Sequence, residues 1–368
     1  MPPKLQAALI GAGAVARRHH LPAFKRTRQV EVVALCDTNR RRARTLAKDF
    51  RVPRVYCDYL QLLSKEEPDF VDICTPQSTH VEICSAALNE GMNVIVEKPL
   101  CLKVPEALAL QKLSEMRGAS LCVMHNYRFL GHVLKARALF KQGKLGRITS
   151  IVGMVRSPSV FHLPEWVRDE STSGGIFFES ALHLADLQIL FCGGHRRIVG
   201  FRSRQNATYG FTEAFQALIE YESGALGILD ANFLGTTTSA ELDMCGSARD
   251  LRLLFYPNGL WTSQGFLTPL FRMLGEVGRV SRFSIAKIFD NEGYYADFHV
   301  GLIRRYVESI RLKSAPPVGI VDVLPTIRLL DELRKKASFD VWTYRGNRKS
   351  QQQSRNVSKR QLKEAYSS

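Results

Sequence analysis

A lysine flanked by a glutamate and a proline, Glu97-Lys98-Pro99, closes the apolar run that starts at Met92. A primary amine at such a place can hold a substrate hydroxyl and pass its proton. A second set of reactive side chains lies downstream at Glu179, His183 and Asp186. Spacings of four and three put all three on one face of a helix. A carboxylate beside a histidine fixes its tautomer and raises its pKa, the arrangement wanted in a proton donor and acceptor. The same face also reads as the polar side of a structural helix meeting another domain, or as a carboxylate–imidazole metal site. No fourth ligand is in view, and the expectation is that no metal is bound.

A glycine turn, Gly11-Ala12-Gly13-Ala14-Val15-Ala16, follows an apolar strand and opens a helix. In that context Gly11 permits the tight turn. Gly13 lets the backbone approach a pyrophosphate, which the helix start at Ala14 and Val15 then holds. Ala16 stands where a third glycine is usual, and alanine is tolerated there. Asp37 ends the second strand, 24 residues after Gly13. An acid there accepts hydrogen bonds from the adenosine ribose and repels a 2′-phosphate, which favours NAD; the run Arg40-Arg41-Arg42 pulls towards NADP.

Cys74-Thr75-Pro76 ends the fourth strand, and Ser78-Thr79-His80 starts the next helix. Proline blocks the helix and hydroxyls cap it, which is a sufficient structural reason for these residues. The functional reading adds that this loop lies over the cofactor, bringing Thr75, Pro76, Thr79 and His80 to it together with Glu97 and Lys98. His125-Asn126-Tyr127-Arg128-Phe129 ends the sixth strand at a domain junction. Asn126 can hydrogen-bond a nicotinamide or a sugar, and Arg128 can hold an acidic group. Tyr127 is read as a substrate wall or a core residue. His19 and His20 are structural or pyrophosphate-side polar groups. Trp166 and Arg168, in the irregular stretch before Gly174-Gly175, are candidates for the substrate pocket.

The elements that must carry these residues follow from periodicity. Strands are expected at Ala7–Gly11, Val30–Asp37, Phe70–Pro76, Met92–Pro99 and Leu121–Tyr127, with a weaker one at Arg54–Tyr56. Helix patterns fall between them at Val15–Thr27, Asn39–Phe50, Tyr59–Lys65, Thr79–Asn89 and Val104–Arg117. Alternation with strands apolar on both faces implies a doubly wound parallel sheet, an α/β Rossmann domain over residues 1–128. From Arg147 the pattern changes. Strands at Ile148–Arg156, Arg197–Arg204, Thr212–Tyr221, Gly224–Phe233, Ser239–Cys245 and Leu251–Phe255 surround a helix at Gly175–Leu190. Two helices, Tyr294–Arg311 and Val321–Lys336, come last. This is an α+β domain with an open, mainly antiparallel sheet, expected over residues 129–338, for substrate binding and oligomerisation.

The chain has 368 residues, 45% of them hydrophobic and 23% charged, a composition ordinary for a soluble globular protein of two domains. No apolar run in the sequence stands out as a bilayer span, and the apolar start, Leu5–Ala16, reads as a strand and glycine turn rather than a signal peptide. Eight cysteines with no C-x-x-C pair suit free thiols in a reducing cytoplasm. The net charge is +16, of which the stretch from Arg345 to Ser368, with seven Lys or Arg and one Glu, supplies +6. That stretch, taken as a tail over 339–368, has the composition of a disordered segment. The remaining charge is read as a solvated basic surface rather than a nucleic-acid site. Leu260–Phe289 is apolar and basic, and suits a cover over the substrate face or an oligomer contact more than a membrane surface.

Taken together, the glycine loop followed by His20-Leu21-Pro22-Ala23, Thr75-Pro76, Glu97-Lys98-Pro99, Asn126-Tyr127-Arg128-Phe129, and Gly174-Gly175 leading into His183 resemble the glucose–fructose oxidoreductase / inositol dehydrogenase / MocA (Gfo/Idh/MocA) family. The resemblance runs from about residue 5 to 338. It implies an NAD(P)-dependent dehydrogenase or reductase of sugars, cyclitols or their derivatives. A homodimer or homotetramer is expected separately, because an open antiparallel sheet with one uncovered apolar face needs a partner surface. By resemblance Lys98 and His183 are catalytic. The family often carries aspartate four residues before this histidine; here Glu179, one methylene longer, stands in its place and is expected to orient His183. A catalytically silent NAD(P)-binding regulator is the alternative reading.

Overall fold

The computed structural model describes residues 3–157, 167, 169–206, 210–235, 238–255, 258–262 and 291–339. Six short strands form the first sheet: β1 Leu5–Ile10, β2 Val30–Cys36, β3 Arg54–Tyr56, β4 Phe70–Ile73, β5 Asn93–Val96 and β6 Leu121–Val123. All pairs are parallel, in the order β3-β2-β1-β4-β5-β6. The order reverses between β1 and β4, the switch point at which doubly wound sheets bind ligands beyond their carboxyl ends. Helices α1 Leu21–Thr27, α2 Arg40–Phe50, α3 Tyr59–Lys65, α4 His80–Asn89 and α5 Val104–Arg117 link the strands. Their ends are set locally. Asn39 and Asp58 cap α2 and α3 by accepting from the N–H of Arg42 and Leu60, and Gly118 takes the left-handed conformation that ends α5.

The second sheet has seven strands: β7 Ile148–Arg156, β8 His195–Gln205, β9 Thr212–Tyr221, β10 Leu226–Asn232, β11 Ser239–Gly246, β12 Leu251–Phe255 and β13 Asn258–Thr262. Their order is β13-β12-β11-β7-β10-β9-β8, antiparallel throughout except for β7 beside β10. One face buries Phe215, Ala217, Ile219, Leu229 and Leu242 in a core with helix α7, Leu182–Cys192. Elements outside the sequence expectation include β13, helix α6, Gly131–Lys141, and a short helix at Glu170–Ser173. The stretch Glu170–Cys192 is long and apolar enough, by composition, to cross a bilayer, contrary to the sequence reading; it is mostly buried as the central helix of this domain.

The chain then returns to the first domain. Helix α8, Asn291–Leu312, adds Leu302, Ile303, Tyr306 and Val307 to the core of the parallel sheet. Helix α9, Ile320–Phe339, gives Ile320, Val323 and Ile327 to that core and Leu329, Leu330, Leu333 and Ala337 to the second. One helix therefore belongs to both cores, whereas the sequence reading put all of 129–338 into the second domain. Most of Leu260–Phe289, together with Trp166, Arg168 and residues 340–368, lies outside the described residues.

Candidate active site

Gly11 leaves β1 with φ of 102°, and a Cβ there would stand 2.5 Å from the Cys74 carbonyl oxygen. Only glycine lets the ends of β1 and β4 approach so closely. A Cβ built on Gly13 meets nothing within 4 Å, so the backbone here is open on its outer side, as a pyrophosphate requires. Ala14 and Val15 begin the following helix, which loosens into a π turn at Ala16–His20 before α1. Neighbours in that turn, His19 and His20, serve different partners: His19 lines a cavity, while His20 is fully buried.

Asp37 sits at the end of β2. Its Oδ2 accepts from the Ala12 N–H at 2.8 Å and from Arg42 Nε at 3.0 Å; its Oδ1 accepts from the Asn39 N–H at 2.8 Å and from an Arg42 guanidinium nitrogen at 2.7 Å. Burial opposes ionisation, but Arg42 and the two backbone donors overcome it and hold the carboxyl below its ordinary value. The Asp37 carboxylate is thus already saturated by the chain's own donors.

The loop after β4 is tied down from below. His80 is buried, with Nδ1 2.7 Å from the Pro99 carbonyl and Nε2 2.9 Å from that of Thr75. It joins the β4 loop to the Glu97-Lys98-Pro99 corner instead of facing a cofactor, which corrects the sequence reading. Thr79 Oγ1 donates within the same loop, to Thr75 Oγ1 and the Pro76 carbonyl, both at 2.8 Å.

Lys98 opens onto a cavity of about 330 Å³ between the two domains. Val15, His19, Glu97, Asn126 and His299 wall it on one side and Tyr127, Arg156, Ser157, Glu179, Ser180, His183 and Thr238 on the other. Lys98 Nζ donates to Glu179 Oε2 at 3.0 Å and to the Glu179 carbonyl at 3.1 Å. The expected Glu179–His183 pair does not form. Glu179 belongs to a second π turn, Phe177–Ala181, just before the regular helix that carries His183. The glutamate turns to the lysine instead.

His183 is held by stacking. Its ring lies 4.0 Å from that of Tyr127 at 11°, and Tyr127 stacks in turn on Phe255. Its Nδ1 is buried with no hydrogen-bond partner. Burial, then the charges of Lys98 and His125, push the imidazole well below its ordinary pKa, so it is neutral. Asn126 Oδ1 is buried without a partner as well. Both residues line the cavity, from opposite sides, and each leaves a buried polar atom without a protein partner.

Asp186 leaves this face too. Its carboxylate takes Arg128 Nε at 2.7 Å and a second Arg128 nitrogen at 2.5 Å, lies 2.8 Å from His125 Nδ1, and accepts from Thr326 Oγ1 at 3.1 Å. Burial opposes its charge, and Arg128 and His125 override this and hold its pKa far down. Arg128 also donates to the Asp322 carbonyl and is 5% exposed. It is absent from the cavity wall, so the substrate role read for it in the sequence is corrected to a structural one.

The sequence reading missed a buried chain of polar groups behind Glu97. His20 Nδ1 donates to Asp72 at 2.9 Å, His20 Nε2 to Glu97 Oε1 at 2.8 Å, and His299 Nε2 reaches the same oxygen at 3.2 Å. His299 carried a signal: it is followed by Leu302, Ile303, Tyr306 and Val307, all buried, so it takes a polar place in an apolar helical stripe.

Residues 5–125 match the oxidoreductase family with an NAD-binding Rossmann fold, and residues 133–252 match the Gfo/Idh/MocA C-terminal domain. The chain belongs to the Gfo/Idh/MocA family. Its first domain is that family's NAD-binding domain, as the glycine turn and the strand order require. A D-apiose dehydrogenase of Paraburkholderia graminis is 29% identical over 234 residues, 62% of this chain and 61% of that protein. A D-glucoside 3-dehydrogenase of Escherichia coli is 26% identical over 248 residues, 62% of this chain and 70% of that one. The chain thus spans about six tenths of the apiose enzyme's length. A levoglucosan dehydrogenase solved in complex with NADH shares the fold, with a TM-score of 0.76 at 17% identity, over 92% of this chain and 98% of that one.

Proposed function

We propose that this protein is an NAD-dependent dehydrogenase acting on an alcohol or ketone carbon of a sugar, cyclitol or sugar derivative. The observation that carries the reading is the convergence of Lys98, Glu179 and the neutral, unpartnered His183 on one cavity, beyond the carboxyl end of β5. Gly13, Ala14 and Val15 would hold the pyrophosphate, Asp37 the ribose, and Asn126 a carboxamide or a sugar hydroxyl. The bound dinucleotide supplies the hydride acceptor or donor. The protein's own part is to manage the hydroxyl proton. Lys98 binds the hydroxyl oxygen and steadies its growing negative charge, and His183, neutral beside it, receives the proton. Glu179 holds the Lys98 amine and, being partly exposed, passes protons to water.

The relatives named as apiose and glucoside dehydrogenases favour a polyhydroxylated substrate, and the polar cavity wall suits one. Six of the eight cysteines are buried, and all eight are free, which supports a reducing compartment such as the cytoplasm. The outer face of the second sheet exposes Leu218 opposite Ile228, with Leu226 and Val199 beside them, which supports a homodimer or homotetramer. A panel of sugars, cyclitols and sugar derivatives with NAD or NADP, followed by the absorbance of the reduced cofactor, tests the reading. Cofactor binding with no turnover across the panel would favour the silent regulator instead.

A further inference from the structure

Behind Lys98 the structure holds two carboxylates and two imidazoles with almost no access to water. Asp72 and His20 are 0% exposed, His299 5% and Glu97 8%. Buried carboxylates need positive charge or protons close by. Either a divalent cation or a protonated histidine can supply it, and distances decide between them. Ligands 2.0–2.1 Å from a tetrahedral zinc ion stand roughly 3.3–3.4 Å apart. His20 Nε2 stands 2.8 Å from Glu97 Oε1, a hydrogen-bond separation. His20 also faces Asp72 through its other nitrogen, so both ring nitrogens meet carboxylates and both must carry protons. Burial is the largest influence and opposes that charge, but Asp72 and Cys74 together outweigh it, raising the His20 pKa above its ordinary value. The hydrogen-bond pattern fits protons and not a metal.

The chain of contacts has a direction. His20 and His299 both meet Glu97 Oε1, and Glu97 Oε2 accepts the backbone N–H of Lys98 at 3.0 Å. Asn126 Nδ2 stands 3.5 Å from both ring nitrogens of His299, against the face of the imidazole. Facing a carboxylate oxygen, His299 Nε2 carries the proton shared with Glu97. His299 arrives from α8, 202 residues after Glu97, and also stacks on His19 at 4.9 Å. One imidazole therefore touches the supports of three cavity residues: Lys98 through Glu97, Asn126 directly, and His19 by stacking.

We propose that His299 is a positioning residue: with the buried Asp72–His20 pair it pins the Glu97 carboxylate and through it sets the place of Lys98, and by its own contact it sets that of Asn126 in the cavity. This rests on the dehydrogenase reading, so the test carries one readout that needs no substrate. In the full-length protein, trace acetic anhydride followed by peptide mass spectrometry reports the reactivity of Lys98 relative to surface lysines. His299→Leu should change that ratio at least about threefold, read well below the melting transition of both proteins. With an oxidised substrate in hand, kcat should fall by about tenfold, the order of loss a small displacement of a reacting group brings, while KM for NAD stays within about twofold. His299→Gln keeps a donor towards Glu97 and should restore most of both. Unchanged labelling and kcat in His299→Leu would overturn the proposal. So would equal losses in the Leu and Gln variants, which would make the role one of packing. One equivalent of tightly held zinc in the purified protein would overturn the protonated network. Altered Lys98 labelling in a protein that oxidises nothing would leave the positioning role standing and refute the dehydrogenase reading alone.

Discussion

Arg128→Met is the sharpest test of how the two domains are joined. Arg128 lies in the turn after β6 and Asp186 in α7, and their two-point contact is almost fully buried. Methionine fills much the same volume but removes the charge, leaving Asp186 to His125 and Thr326. Stranding one partner of a buried pair costs about 3–5 kcal/mol. At roughly 2–4 °C per kcal/mol for a domain of this size, the melting temperature should fall by roughly 6–20 °C, read by calorimetry. The sign is set by which partner is left charged. Adding Asp186→Leu removes the orphaned carboxylate, so the double variant should recover a good part of the loss. Neither residue lines the cavity, so NAD affinity below the transition should match that of the unaltered protein. A single variant that melts within about 1 °C of wild type, or a double variant no more stable than the single one, would refute the argument.

Four further outcomes follow from the same geometry. Lys98→Met should abolish most turnover and His183→Ala should cut it by about 10²- to 10⁴-fold, the usual weight of an acid–base group, with NAD affinity kept; full activity in both would unseat the catalytic assignment. Arg42→Ala frees two acceptor positions on Asp37, so calorimetry should show NAD binding at least as tightly and NADP more weakly, while Asp37→Ala narrows the preference for NAD; a natural preference for NADP would contradict this. His20 has a raised folded pKa, so its contribution is complete below the unfolded value of about 6.5 and is lost as pH rises through the folded value; the melting temperature should drop more between pH 6 and 9 in the unaltered protein than in His20→Gln, and parallel curves would argue against a charged His20. Light scattering should find an oligomer at micromolar concentration that Leu218→Lys with Ile228→Lys weakens, and a monomeric unaltered protein would remove the role given to the outer sheet face.

The parallel sheet was legible because its strands are apolar on both faces and its turns are marked. Tyr59–Lys65, Val104–Arg117, Ile148–Arg156, Thr212–Tyr221 and Leu251–Phe255 fall where the pattern put them. Lys98 and His183 do share a cavity. What could not be read was how neighbouring residues divide their contacts, and here the π turns decide. A spacing of four predicts one face only while the helix keeps 3.6 residues per turn. At Phe177–Ala181 it does not: Glu179 goes to Lys98 and His183 rests on Tyr127, while Asp186, three residues on in the regular helix α7, is drawn to the domain junction by Arg128. In the π turn at Ala16–His20, His19 goes to the cavity and His20 to Asp72. In both cases a residue beside a glycine-marked turn is moved without any change in its own type. Arg128 and His299 were opaque for another reason: their partners lie 58 and 202 residues away in sequence, and only packing brings them together. The polar residue inside an apolar stripe is the local trace such long-range pairs leave. Asp72 in the wholly buried strand Phe70–Ile73 and His299 on α8 both show it, and they stand at the two ends of the network behind Lys98.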